Sequence, residues 1–401
     1  MYKLSHILKY LNEELFFDDL TPEELEKIQK LTSYKIKNQG PDFEAIRNKI
    51  KDYIDVNDIE NAKKLVDSYG SEYLFKPVST KEELINIIKE EISKNGVNCD
   101  LNFYDVSDIA DMSYLFKDSN FNGNIALWDV SNTVNMEGMF ENSAFNNNSL
   151  KYWNISNVSN FKGMFKNSAF NKDINNWKPI HAVNMESMFE GSSYNCKLDG
   201  WSNYLSNVRT MKAMFKDSMF ARPIIKWNVV NVNDMSHMFE NSIYSNFLDW
   251  NVLNVRDMSY MFANNITFNR DISMWPVNNV INFSHMFENS QFNQSIEQWE
   301  MESAQDLSYM FAGSKYNKPL NELTFNGKGI NMSHMFENAA FNQEIDEWNN
   351  NGLKFAGDLS YMFAGNDCMF NQDISNWNID YADNTDCMFE DNEITDEGNK
   401  P

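Results

Sequence analysis

A phenylalanine preceded by methionine or leucine recurs twelve times in this chain, ending at Phe116, Phe140, Phe165, Phe189, Phe215, Phe239, Phe262, Phe287, Phe311, Phe336, Phe363 and Phe389. The intervals run from 23 to 27 residues and span 273 residues of the 401. One such unit is too small to bury its own apolar face, so a period held this tightly implies a solenoid in which each unit covers the next. The functional question then moves from a catalytic pocket to an extended surface.

Each repeat has two parts. The first is an I-x-x-W-x-V pattern, as in Ile125, Trp128, Val130 and Ile374, Trp377, Ile379. This is the spacing of a leucine-rich repeat (LRR) strand, with its last two apolar residues on one inward face. Pro179, Asn203 and Asn350 replace the final apolar residue in three repeats. The second part is V-x-x-M-x-x-M-F-x-x-[SA], as in Val158, Phe161, Met164, Phe165 and Ser168. Its spacings predict a short helix or 3-10 segment packed inward. A Phe-Asn or Tyr-Asn pair follows, with Asn at 122, 146, 171, 195, 269, 293, 317, 342 and 371. Asn tolerates left-handed backbone and bonds its neighbours, so stacked Asn residues are expected to satisfy turn groups from coil to coil. The expected fold class is an α/β solenoid. It is an LRR-like array with a parallel concave β-sheet and short helix or 3-10 segments on the convex side, behind a small all-α N-terminal domain.

The expected domains are a helical cap over 1–97, about twelve repeats over 98–390 and an acidic disordered tail over 391–401. In the first, Leu4, Ile7, Leu8 and Leu11 lie at helical spacing, and Thr21-Pro22-Glu23-Glu24 opens a second helix carrying Leu25, Ile28 and Leu31. A third helix opens near Pro41 and carries Phe43, Ile46, Ile50 and Tyr53; a fourth runs from about Asn57 to Tyr69. Thr80 to Glu83 is a capping box for a fifth, which Asn95-Gly96 ends. These stripes read first as core, and residues 1–17 alternatively as an amphipathic segment that docks into a partner groove.

Net charge is −24. The first hundred residues account for −5 and the remainder for −19. Such a field disfavours nucleic acid and anionic lipid and favours a basic partner, although acidity also simply keeps a repeat protein soluble. Cys99, Cys196, Cys368 and Cys387 show no zinc or disulfide spacing, which fits free thiols. No run approaches the roughly 18 apolar residues of a membrane span, and the N-terminus lacks a signal-peptide pattern, so the expected location is cytoplasmic.

Asp373-Ile-Ser-Asn-Trp377 and Asn233-Asp-Met-Ser-His-Met-Phe239 resemble the 25- to 26-residue repeat of BspA-like leucine-rich repeat proteins, a family of unknown function first described in mycoplasma lipoproteins. The resemblance covers about residues 99–390. It implies an LRR-type solenoid and, for several members, cell-surface adhesion. This chain shows no lipobox or wall-anchor motif. Phage-encoded and intracellular proteins resemble the same repeat, often behind a helical N-terminal segment.

The residue after each repeated Phe alternates: Lys117, Glu141, Lys166, Glu190, Lys216, Glu240, then Ala263, Glu288, Ala312, Glu337, Ala364, Glu390. Stacked Glu would repel, and alternation with Lys or Ala removes that repulsion, so the unit is a pair of repeats. Two residues before the Phe, His237, Tyr260, His285, Tyr309, His334 and Tyr361 alternate likewise. The His residues are two repeats apart, roughly 10 Å at one strand spacing per coil, too far to share a metal. They read as polar surface positions. No phosphate loop, nucleophile elbow or carboxylate pair appears. The chain therefore reads as a non-enzymatic protein-interaction scaffold without cofactor or metal. An adhesin and a phage virion or host-takeover protein are the alternatives. The expected partner is a protein, with neither nucleic acid nor membrane insertion. The expected contact patch is Phe103, Leu127 and Tyr152, in the outward slot beside the Trp, ringed by Asp105 and Asp129. Alternatively, the N-terminal domain folds back over it.

Overall fold

The computed structural model describes residues 43–56, 58–69, 74–325, 329–349, 353, 356–380, 382–393 and 396–401. The expected helices near residues 4–11 and 21–31, and the docking segment 1–17, lie outside the described residues. Helix α1 spans Phe43–Asp55, α2 Ile59–Tyr69 and α3 Lys81–Asn95. At the start of α3 the Thr80 side chain accepts the Glu83 N–H at 3.1 Å, and the Glu83 carboxylate accepts the Ser79 N–H at 2.8 Å. Gly96 closes the helix at φ 82, returning its N–H to Ile92 O. Leu84 and Ile88 of α3 are buried against the first repeats, as an end cap requires.

The Met-Phe segment of each repeat is a chain of tight turns, not a helix. Two residues per segment are left-handed, one two before the Phe and one two after it: Gly138 and Asn142, or His285 and Asn289, all with φ between 52 and 58. Alternate N–H groups therefore point within the repeat and towards the next. Met139 donates to Met136 O at 3.2 Å and Glu141 to Gly138 O at 3.0 Å. Between them, Met136, Gly138, Phe140 and Asn142 donate to Asn160, Lys162, Met164 and Lys166 O of the following repeat, at 2.8–2.9 Å. A row of single parallel bridges, Asp111 to Asn135 to Asn160 to Asn184 and onward, lies just before the Met. Each bridging side chain accepts the N–H two residues on, as Asn160 does from Lys162 at 3.1 Å.

The I-x-x-W-x-V segment, expected as a strand, is also mostly turn: the Trp128 N–H donates to Ile125 O at 3.2 Å. The two-residue strands are β1 (Lys76–Pro77) pairing with β2 (Tyr104–Asp105), and β3 (Ile330–Asn331) with β4 (Ala356–Asp358), all parallel. The apolar slots nevertheless point inward. Trp128 and Val130 are at most 3% exposed. The repeated Phe rings form one column from Phe116 to Phe389, with centroid steps of 5.4–5.9 Å. The ring after it forms a second, as Phe121, Phe145, Phe170 and Tyr194 do at 6.0–6.1 Å. Burial of these large rings is the main driving term, and offset stacking adds about 0.5–1.5 kcal/mol per pair.

Polar ladders tie the repeats in register. All ten Trp indole N–H groups donate to a buried apolar residue of the preceding repeat, from Trp128 to Leu101 O at 2.7 Å to Trp377 to Ile345 O at 3.2 Å; it is the first residue of the pattern except for Trp275, which donates to Leu248 O because Phe247 is exposed. Each Phe-Asn side chain accepts from the next repeat, as Asn146 Oδ1 does from the Asn171 N–H at 2.9 Å. These Asn residues adopt no left-handed backbone; that role falls to the positions either side of the Phe. The ladder also corrects the expected disordered tail. The Asp396 N–H donates to Asn371 Oδ1 at 2.9 Å, and Asn399 O accepts the Ile374 N–H at 3.0 Å. The last Asn side chain offers an acceptor, and the described tail residues fold back to meet it.

Candidate functional site

Phe103 and Leu127 pack against a small apolar cluster that includes Ile50, Ala62 and Leu74, beside the helices. Phe75 meets the Phe103 ring at 5.8 Å, and the charged ends of Arg47 and Lys51 lie over it at 5.9 and 5.7 Å. Tyr152 stays 38% exposed at the rim, between Lys63 and Lys151. Asp105 and Asp129 spend a carboxylate oxygen on the Ser107 and Ser131 N–H groups, at 3.1 and 3.0 Å. Of the five residues of the expected patch, Phe103 and Leu127 are partly covered by the helical segment. The outward direction of the slot holds further along, where Met274 is 88% exposed and Lys226 pairs with Asp249.

A second face stands out because the repeats differ there while their cores agree. It is built from the residues three and two before each Phe and the one after it. In the N-terminal half the residue three before is charged in four repeats, Glu137, Lys162, Glu186 and Lys212, and the left-handed residue is small, Gly138, Gly163, Ser187 and Ala213. The alternating charges pair as expected: Lys117 with Glu141 at 3.0 Å, Lys166 with Glu190 at 2.9 Å and Lys216 with Glu240 at 2.7 Å. Being part-exposed, such pairs contribute about 0.2–1 kcal/mol each.

From Ser236 to Tyr361 the face changes, and six successive repeats take up the Ser-aromatic pair that Ser113 and Tyr114 show once in the first repeat. The first slot becomes Ser, and the left-handed slot becomes an aromatic ring. His237, Tyr260, His285, Tyr309, His334 and Tyr361 stack in one column with centroid steps of 4.6, 4.2, 4.5, 4.3 and 4.7 Å. The rings are half-buried. Each His turns Nδ1 to the Glu three residues on: Glu240 at 2.5 Å, Glu288 and Glu337 at 2.8 Å. Burial works against ionisation of Glu240, but the bonds from His237 and Lys216 outweigh it and hold the carboxyl below its usual value. Beyond Glu240 the Lys partners are gone, since Ala263, Ala312 and Ala364 stand in their place. Burial first, then Glu288, pushes the Tyr260 hydroxyl above its ordinary value.

The column runs through the three His residues singled out in the sequence, and interleaves them with Tyr. A left-handed backbone costs a non-glycine residue about 1–2 kcal/mol, so Gly138 and Gly163 in the same slot were the signal that could have placed it. Three exposed apolar residues on successive repeats, Met219, Ile243 and Ile266, escaped the sequence reading. They share the slot four after the Phe, which Ala144, Ala169 and Lys315 fill elsewhere.

Arg209, Asn231, Asn254, Arg256 and Asp257 border an open groove of about 570 Å³. Arg209 bonds the Asn207 and Val208 carbonyls, and Asp257 accepts the Ser259 N–H, so these groups are already partnered. Among the described residues no group of three His, Cys, Asp or Glu could hold a metal ion, and no helix is long and apolar enough to cross a membrane.

The period and spacing carry over to known sequences. The family described as "Mycoplasma protein of unknown function, DUF285" matches residues 86–201, 193–247, 209–324 and 324–398. The chain belongs to the DUF285 family. The matches begin within α3 and take in every Met-Phe repeat, so the ring column lies wholly inside DUF285 sequence. No curated protein and no solved structure is significantly similar to the chain.

Proposed function

We propose that this DUF285 chain is a non-catalytic protein-binding scaffold, built as an LRR-like solenoid whose DUF285 repeats expose the ring column as the contact strip. One observation carries the reading: after four repeats with a small, ion-paired face, Gly138 to Ala213, six successive repeats are aromatic there, while the ladders and core columns beneath continue. A structural requirement would act on every repeat alike. Tyr and other aromatic side chains are the usual anchors of protein interfaces, because they bring large contact area at small entropic cost.

The enzymatic reading is the weaker, since the turn carboxylates just before each Met-Phe segment, such as Asp234, Asp257 and Asp306, are spent on the N–H two residues on, in the same way from repeat to repeat. The test is capture from the source cell, comparing the native chain with His285→Gly, Tyr309→Gly and His334→Gly combined. Gly occupies this slot in two other repeats, so the variant keeps its backbone, which circular dichroism checks. A protein partner held by the native chain and lost by the variant supports the scaffold. A partner retained equally by both removes the column from the interface.

A further inference from the structure

The alternation gives the strip a pitch as well as a chemistry. The ring steps of 4.5 and 4.3 Å put His285 and His334, each with its Glu, about 9 Å apart. Glu288 and Glu337 lack the Lys that Glu141, Glu190 and Glu240 have, so each leaves a carboxylate bonded to one imidazole and otherwise open to a cation. Between them lies Tyr309, whose ring is half-buried and whose hydroxyl remains a donor, because burial and then Glu337 hold it above its ordinary value. The strip therefore repeats anion, aromatic hydroxyl, anion.

A polyproline-II segment advances about 3.1 Å per residue with three residues per turn, so every third side chain returns to one face after about 9 Å. A β-strand presents same-face side chains every 7 Å or so and falls out of step within two repeats. The polyproline-II backbone also has free carbonyls, which a row of Tyr hydroxyls can satisfy, and its low conformational entropy suits an aromatic-lined surface. We infer that the C-terminal half of the column binds an extended polyproline-II segment carrying Arg or Lys at every third position. Its cations would face Glu288 and Glu337 and its carbonyls Tyr309 and Tyr260. This rests on the scaffold reading and names the occupant of the same strip.

The experiment is fluorescence anisotropy with three labelled peptides: four Pro-Pro-Arg units, a charge-matched peptide with Arg at every second position, and four Pro-Pro-Glu units. The expected result is binding of the first, at least about tenfold tighter than the second, a difference of about 1.4 kcal/mol. The third should not bind. Glu288→Gln with Glu337→Gln should weaken the first peptide about tenfold and flatten its salt dependence, and the triple Gly variant should do the same with its circular dichroism unchanged. Equal affinity for the two Arg peptides would reduce the effect to the net charge of −24 and overturn the proposal. Binding undiminished in both variants, or no binding of the first peptide, would also overturn it. The two readings fail separately. A captured partner that depends on the column while the Pro-Pro-Arg peptide fails removes only the occupant, whereas a partner indifferent to the column removes the strip itself.

Discussion

Trp201 tests the indole ladder most directly. It is fully buried and stacks between Trp177 and Trp227 at 6.3 and 6.2 Å. Its indole N–H donates to Ile174 O at 3.1 Å. That carbonyl also accepts the Trp177 N–H at 3.1 Å, so Trp201→Phe removes a bond without stranding the acceptor. The lost bond costs about 1 kcal/mol. The smaller ring leaves a void of roughly 40 Å³, which at about 24 cal/mol per Å³ costs about another 1 kcal/mol. The expected loss is therefore about 2 kcal/mol, against about 3–5 for Trp201→Ala. In a repeat array the loss should fall on the nearest neighbours. Hydrogen exchange should accelerate at the amides of residues 174–230 and stay unchanged near Phe116 and Phe363. A urea titration should show the affected region melting first. A loss below about 0.5 kcal/mol, or exchange that rises evenly along the chain, would refute the ladder as what holds adjacent coils.

The Tyr316 hydroxyl is buried with the Ile296 backbone beside it and no hydrogen bond of good geometry, so Tyr316→Phe should cost less than the roughly 1 kcal/mol of an ordinary lost bond, read as a urea midpoint that does not fall. The thiols should separate by burial: exposed Cys387 should be alkylated at pH 8 well before Cys368, whose thiol burial pushes up to about 11. Glu240 is held below its ordinary value in the folded chain, so its contribution is present above the unfolded carboxylate value, near 4.3, and is lost as pH falls through the lower folded one. Lys216→Met should shrink that acid-limb loss, measured as the urea midpoint between about pH 5 and 3, and an unchanged limb would refute the pairing.

The period, the inward slots and the α3 cap were legible because each rests on local chemistry: apolar residues at fixed spacing, and a Thr-x-x-Glu box before an apolar run. The Asn ladder was legible for the same reason, since an amide repeated at one slot has its counterpart as its nearest neighbour. Strand and turn were not separable at I-x-x-W-x-V. A three-residue step followed by a two-residue step satisfies either, and the choice is made by where the Trp N–H goes, which no side chain announces. The cover over the expected contact patch was not legible. Phe103 and Leu127 pack against residues well before them in the chain, such as Ile50 and Ala62, and spacing within the repeat carries no trace of that.

The alternation was visible as letters and acquires its meaning from the backbone. The slot two before the Phe is left-handed throughout, and the first half fills it with Tyr114, Gly138, Gly163, Ser187 and Ala213. Placing His or Tyr there costs about 1–2 kcal/mol per residue before any stacking is counted. Stacking at 4.2–4.7 Å returns about 0.5–1.5 kcal/mol per contact, so the column roughly offsets its own strain and yields little net stability. Glycine would hold the same turn at no such cost, as Gly138 and Gly163 do in the first half. The column is therefore poorly explained by folding alone. Loss of the Lys partners in the same repeats points the same way, since Ala263, Ala312 and Ala364 forgo pairs that the first half makes. Two independent slots thus give up local stability over the same stretch, and what they leave at the surface is a regular row of rings and open carboxylates.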